Sequence, residues 1–217
     1  MLSTLGFLTF PFDLKGRVVH NYARAWGWLI TRSSGVHVVL SGVDHIDRGR
    51  PYILMANHQG AFDIFALLAY LPIHFKWLAK EELFRIPIFG WAMGAAGYIS
   101  IDRRGKKKAL ESIENAVTKI REGASVLIFP EGTRSPDGKI HPFKKGGFTL
   151  AIKAGVPIIP ISIRGSREVL PRDSFRLKPG EIEIAIGKPI PTHDKSMADR
   201  DSLMDNVKEA IEGTKAR

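Results

Sequence analysis

Ser125-Val126-Leu127-Ile128-Phe129-Pro130-Glu131-Gly132-Thr133-Arg134-Ser135 is an apolar run followed at once by a polar loop that ends in a cation. A run this short and this apolar reads as a strand covered on both faces, as in parallel sheets. The same signature recurs on either side of it. Strands are predicted over 36–40, 52–55, 75–78, 98–101, 125–129, 158–163 and 182–186. Helical patterns fall between them. The clearest covers 108–122, with Leu110, Ile113, Val117 and Ile120 on one side and Gly123 as a stop. Another, over 148–154, is stopped by Gly155 and Pro157, and a last one over 196–211 opens on Ser196 and Asp199, shaped as a capping pair. Alternating strands and helices predict a layered α/β domain.

Composition narrows the chemistry. A chain of 217 residues with 44% hydrophobic content is enough for one globular domain with a sizeable core. Its formal charge of +10 suits a polyanionic partner: nucleic acid, an anionic membrane or a phosphorylated substrate. No helix-turn-helix, zinc pattern or aromatic RNA-binding strand motif is present, so nucleic acid is not the expected partner. The absence of cysteine removes disulfides, thiolate catalysis and cysteine-based zinc sites. Residues 1–12 show neither a basic start nor a small-residue cleavage site, so no secretory signal is expected. No stretch reaches the ~18 uncharged apolar residues of a spanning helix. Residues 17–30 form an amphipathic pattern, with Val18, Val19, Tyr22, Ala25, Trp26, Leu29 and Ile30 on one side and Arg17, Asn21, Arg24 and Trp28 on the other. That stripe suits either a membrane interface or a helix facing the core.

The site candidates lie in two loops. Asn57-His58-Gln59-Gly60-Ala61-Phe62-Asp63 follows the strand at 52–55. A neutral imidazole can take a proton from an alcohol, and a carboxylate beside it can fix its tautomer. Five residues along an ideal helix turn about 500°, so His58 belongs in the loop and Asp63 in the first helical turn behind it. In the second loop, Gly132 lets backbone approach a substrate closely, and Arg134 offers the planar fork that matches a phosphate. Lys80 and Arg103 are weaker phosphate candidates. A base in one loop and an anion clamp in another suit transfer chemistry on an alcohol that carries a phosphate. Residues 86–101, with Gly90, Gly94 and Gly97 in an apolar run, either line a channel or pack tightly onto the sheet. The basic run 103–108 is a solvated cluster or a contact for anionic lipid or an acidic carrier.

Four blocks in order carry a resemblance: Asn57-His58-Gln59 through Asp63, Ile101-Asp102-Arg103, Phe129 to Ser135, and Val156-Pro157-Ile158-Ile159-Pro160. Over about residues 36–190 the chain resembles the bacterial 1-acyl-glycerol-3-phosphate acyltransferases. The resemblance implies a layered α/β/α domain over 33–217 with a mixed, largely parallel sheet. It further implies an N-terminal helical membrane anchor over 1–32, at the cytoplasmic face of the inner membrane, monotopic or peripheral. The implied reaction moves a fatty acyl group from acyl-CoA or acyl carrier protein to a lysophospholipid, without cofactor or metal. In it His58 acts as base and Asp63 orients it. Glu131, Gly132, Thr133 and Arg134 bind the acceptor, Glu131 at the glycerol backbone and Arg134 at the phosphate. Backbone N–H groups near His58 or Gly132 are the candidate oxyanion donors. An acceptor with another headgroup, or a hydrolase giving the acyl group to water, would use the same base.

Overall fold

All seven apolar runs become strands of one sheet, in the order β1-β7-β6-β2-β5-β3-β4. The computed structural model describes residues 16–102, 104–171, 174 and 176–214. The strands are β1 Val36–Ser41, β2 Ile53–Ala56, β3 Phe75–Lys80, β4 Ile99–Ile101, β5 Ser125–Ile128, β6 Ile158–Arg164 and β7 Gly180–Ile186. The helices are α1 Arg17–Ser33, α2 Phe62–Tyr70, α3 Glu81–Phe84, α4 Phe89–Ala95, α5 Lys106–Arg121, α6 Lys145–Ala154, α7 Ser166–Val169 and α8 Arg200–Gly213. Every neighbouring pair is parallel except β6 and β7, so the sheet is mixed and largely parallel, as expected.

The strands read as continuous apolar runs because both faces are covered. Along β2, Ile53 and Met55 face a core shared with α5, α6 and α8, whereas Leu54 and Ala56 face a core shared with α1, α2 and α4. Pro160 sits inside β6 without breaking it. Its carbonyl accepts from Gly187 N–H at 2.8 Å, so its missing N–H lies on the side where β7 has already ended at Ile186. Ahead of α8, Ser196 and Asp199 form the expected capping box.

α1 turns a different face inward from the one its apolar stripe predicts. Val19, His20, Gly27 and Thr31 are buried, while Val18, Trp26 and Leu29 of the stripe are exposed. Close packing explains Gly27, since an added Cβ would stand 2.8 Å from the Phe65 carbonyl oxygen. Thr31 satisfies its hydroxyl on the carbonyls of Gly27 and Trp28, at 3.1 and 2.9 Å. Thus α1 belongs to the layer that covers one face of the sheet. Residues 1–15 of the expected membrane segment lie outside the described residues. Among the described residues no helix is long and apolar enough to cross a membrane.

His20 shares a hydrogen bond of 3.2 Å with the Tyr98 hydroxyl, and its ring lies 4.3 Å from that of His74. Burial, and then the nearby charges of His74, Lys76 and Arg24, push its pKa down from 6.5 to about 3. His20 is therefore neutral in the fold where the unfolded chain would protonate it. The stability this gives is complete above pH 6.5 and is lost as pH falls towards 3, by up to about 1.4 kcal/mol per pH unit. Urea unfolding of the wild type should weaken across that window, and His20→Phe should flatten the decline. Equal slopes in both proteins would remove His20 as the cause.

Candidate active site

β2 and β5 are adjacent and parallel, so the loops that leave their C-terminal ends meet. The first carries His58 and the second Glu131 to Ser135. This is the end of a parallel sheet at which open α/β folds place their sites. Asp63 stands in the first turn of α2, fully buried, with His58 in the loop before it. One Asp63 oxygen, Oδ2, accepts three bonds: His58 Nδ1 at 2.7 Å, Gln59 N–H at 2.7 Å and Gly60 N–H at 3.0 Å. The same atom therefore shapes the loop and aims the ring. With Nδ1–H donated to Asp63, Nε2 is the nitrogen left to take a proton. The imidazole also stacks on Phe129, 3.9 Å between centroids and 9° from parallel, and its side chain is 12% exposed. Two planes thus fix it: a carboxylate at its edge and an aromatic ring on its face.

The second loop grips the first by the backbone. Glu131 Oε1 accepts the His58 N–H at 2.9 Å, and Ser135 N–H donates to the His58 carbonyl at 2.7 Å. A third tie runs from Gln59 Nε2 to the Gly138 carbonyl, at 3.0 Å. The other Glu131 oxygen accepts the His141 N–H at 3.0 Å. Glu131 is 3% exposed, and burial raises its pKa against the opposing pull of those two N–H donors. Both its oxygens are engaged by backbone, so in this structure Glu131 is a brace between loops.

Gly132 takes a positive φ of 73° and closes a turn on the Phe129 carbonyl. Thr133 is exposed and Arg134 half-buried on the same turn. The N–H groups of His58, Gln59, Gly60 and Gly132 are all donated to protein acceptors. Lys80 is exposed at the C-terminal end of β3, beside β5. Arg103 lies outside the described residues. Among the described residues no group of three or more His, Asp or Glu side chains is placed to hold a metal ion.

Two positioning residues were not singled out by sequence reasoning. Asn57 is buried at the end of β2 and clasps β6, donating to the Ile163 carbonyl at 2.8 Å and accepting its N–H at 2.7 Å. Its side chain continues the ladder one residue past the strand and anchors the root of the His58 loop. Ser135 holds the far loop, with its hydroxyl on the Lys139 carbonyl at 2.8 Å and the Gly138 N–H donating to it at 2.9 Å. Both stand in the quoted blocks, but their partners are remote in sequence or backbone groups.

An apolar cavity of about 180 Å³ opens beside Phe129, walled by Leu78, Ile101, Ile113, Ile128 and Gly147 among others. Of the run 86–101, Ile101 alone reaches it. Gly90 instead packs under Phe84, whose carbonyl oxygen an added Cβ would meet at 2.0 Å.

Residues 37–164, more than half of the chain, match the family model described as Acyltransferase. A chloroplastic 1-acyl-sn-glycerol-3-phosphate acyltransferase of Brassica napus is 40% identical over 182 residues, 82% of this chain and 52% of the relative. The 1-acyl-sn-glycerol-3-phosphate acyltransferase of Pseudomonas aeruginosa is 34% identical over 180 residues, 82% of this chain and 68% of the relative. The chain spans about half the length of the Brassica napus relative and of the chloroplastic one of Arabidopsis thaliana. The crystal structure of the 1-acyl-sn-glycerophosphate acyltransferase PlsC from Thermotoga maritima superposes with a TM-score of 0.76 at 27% identity, covering 97% of this chain and 93% of that one. The fold is thus shared along nearly the whole chain, and the chain belongs to the acyltransferase family.

Proposed function

We propose that the protein transfers a fatty acyl group from a thioester, acyl-CoA or acyl carrier protein, to the free hydroxyl of 1-acyl-glycerol-3-phosphate, giving phosphatidic acid. The observation that carries the reading is the His58–Asp63 pair, with Nδ1 held at 2.7 Å and Nε2 left as the basic nitrogen. The acceptor hydroxyl gives its proton to Nε2 as its oxygen attacks the thioester carbonyl. Asp63 stabilises the imidazolium that forms. The tetrahedral intermediate collapses with loss of the C–S bond, and the imidazolium returns the proton to the departing thiolate. Relatives named as 1-acyl-sn-glycerol-3-phosphate acyltransferases support the choice of acceptor. The apolar cavity beside Phe129 gives the acyl methylenes a seat within reach of the base.

Arg134 holds the acceptor phosphate in this reading, while Glu131 acts through the backbone of His58. Losing a charge-assisted contact costs about 1.5–3 kcal/mol, roughly 10- to 150-fold in affinity. Arg134→Ala should therefore raise the KM for a phosphorylated acceptor far more than that for the thioester. Arg134→Lys should restore only part, because the fork is lost. An equal rise for both substrates would make Arg134 a structural residue of the turn. The substrates themselves are tested by offering matched acyl-CoA and acyl carrier protein donors with a panel of lysophospholipids and weighing the products. Phosphatidic acid should dominate, and a preference for another headgroup would move the acceptor assignment.

A further inference from the structure

Among the described residues the exposed apolar surface is one-sided. Of the thirteen large apolar residues that face solvent among them, ten lie on the layer built by α1, α2 and the β3–β4 connection, and only Leu110, Leu177 and Met197 lie elsewhere. Half of the ten fall in the connection itself: Leu83 (38% exposed), Ile86 (47%), Ile88 (60%), Phe89 (43%) and Trp91 (62%). Isolated exposed apolar side chains are ordinary, but a run of large ones with an exposed tryptophan marks a contact surface.

The backbone pushes this run outward. Ile88 has φ 66° and ψ −53°, the sole positive φ outside glycine among the described residues. Phe89 N–H donates to the Pro87 carbonyl at 2.7 Å, which closes a γ-turn of the rare, strained kind around a β-branched residue. Ile88 itself is 60% exposed. Cationic groups stand at the root of the connection. Lys80, Arg85, Arg104, Lys107 and Lys108 are exposed there, with Glu81 paired to Arg85 and Arg104, Asp102 paired to Arg104 and Lys108, and Glu82 exposed beside them. β3 runs parallel to β5 and β2, so the segment leaves the sheet at the end that carries His58.

We propose that residues 83–91 form a wedge that enters one leaflet of an anionic bilayer, with Ile88 and Trp91 deepest and the basic residues at the headgroups. An apolar tip with a tryptophan and a cationic root is the composition of an interfacial insertion element. This wedge is distinct in sequence from the N-terminal segment, and it turns the His58 end of the sheet towards the lipid. Its purpose rests on the reading of a lipid acceptor, but insertion is measured without turnover, so either can fail alone.

The chain has no cysteine, so Ile88→Cys carrying a polarity-sensitive fluorophore reports a single place. Asn206→Cys, exposed on α8 in the opposite layer, is the control. With vesicles of phosphatidylglycerol and phosphatidylcholine, the label at 88 should shift to the blue and be quenched by nitroxide-labelled lipid. The label at 206 should do neither. An aqueous spectrum at 88 in the presence of vesicles overturns the proposal. So does the same shift on raising protein concentration without lipid, which would make the patch a contact between copies. As a second measure, Ile88→Gly with Trp91→Ser should weaken vesicle partitioning by at least about tenfold. Ile88→Gly alone should keep or raise the melting temperature, by roughly 2–4 °C per kcal/mol of strain relieved. Unchanged partitioning in the folded double variant overturns the wedge.

Discussion

Turnover of purified His58→Ala is expected to fall by about two to four orders of magnitude, the range for loss of a general base. The fold should survive. The imidazole is partly exposed and its edge bond and ring stack are local, whereas the loop is held through the His58 backbone by Glu131 and Ser135. Both of those bonds are kept by alanine. The measurement is initial rate against acceptor concentration, with circular dichroism as the control for folding. A folded His58→Ala protein that keeps more than about a tenth of wild-type turnover contradicts the assignment.

Asp63→Asn should lower turnover by about two to four orders of magnitude as well, but for a different reason. Gln59 N–H, Gly60 N–H and His58 Nδ1 all donate to one Asp63 oxygen. Three donors converging on it hold the amide oxygen of asparagine in the same place, so ring and loop keep their geometry. What is lost is the negative charge that stabilises the imidazolium. The rate should therefore fall with little change in KM or melting temperature. Asp63→Ala would orphan three donors in a buried pocket, at about 1–3 kcal/mol each, and should damage the fold itself. If Asp63→Asn and Asp63→Ala destabilise equally while the folded fraction of Asp63→Asn turns over normally, Asp63 is structural alone.

The sheet was legible because burial on both faces leaves an unambiguous trace: uninterrupted apolar runs ended by Gly, Pro or polar loops. The loop position of His58 and the helical position of Asp63 followed from turn geometry, since their spacing cannot share one helix face. Other features depended on contacts distant in the chain. The inward face of α1 is set by Tyr98 receiving His20 and by Phe65 backbone meeting Gly27, neither of which is encoded in helical periodicity. The resemblance implies Glu131 at the acceptor; that its two oxygens accept the backbone N–H groups of His58 and His141 is not written in the loop's own sequence. Asn57 gave no signal of its clasp on Ile163, 106 residues away. The helices α3 and α4 are too short for periodicity to reveal, and the γ-turn at Ile88 runs against the preference of its own side chain.

The central claim, acyl transfer to a lysophospholipid hydroxyl, is tested most directly by following thiol release from a fatty acyl thioester with and without lysophosphatidate. The account predicts release only when the acceptor is present, in equal molar amount to the phosphatidic acid formed, and abolished together with it in His58→Ala. Thiol release at the same rate without acceptor would mean that water is the acyl acceptor, and no release under either condition would mean that the paired loops do not perform this chemistry.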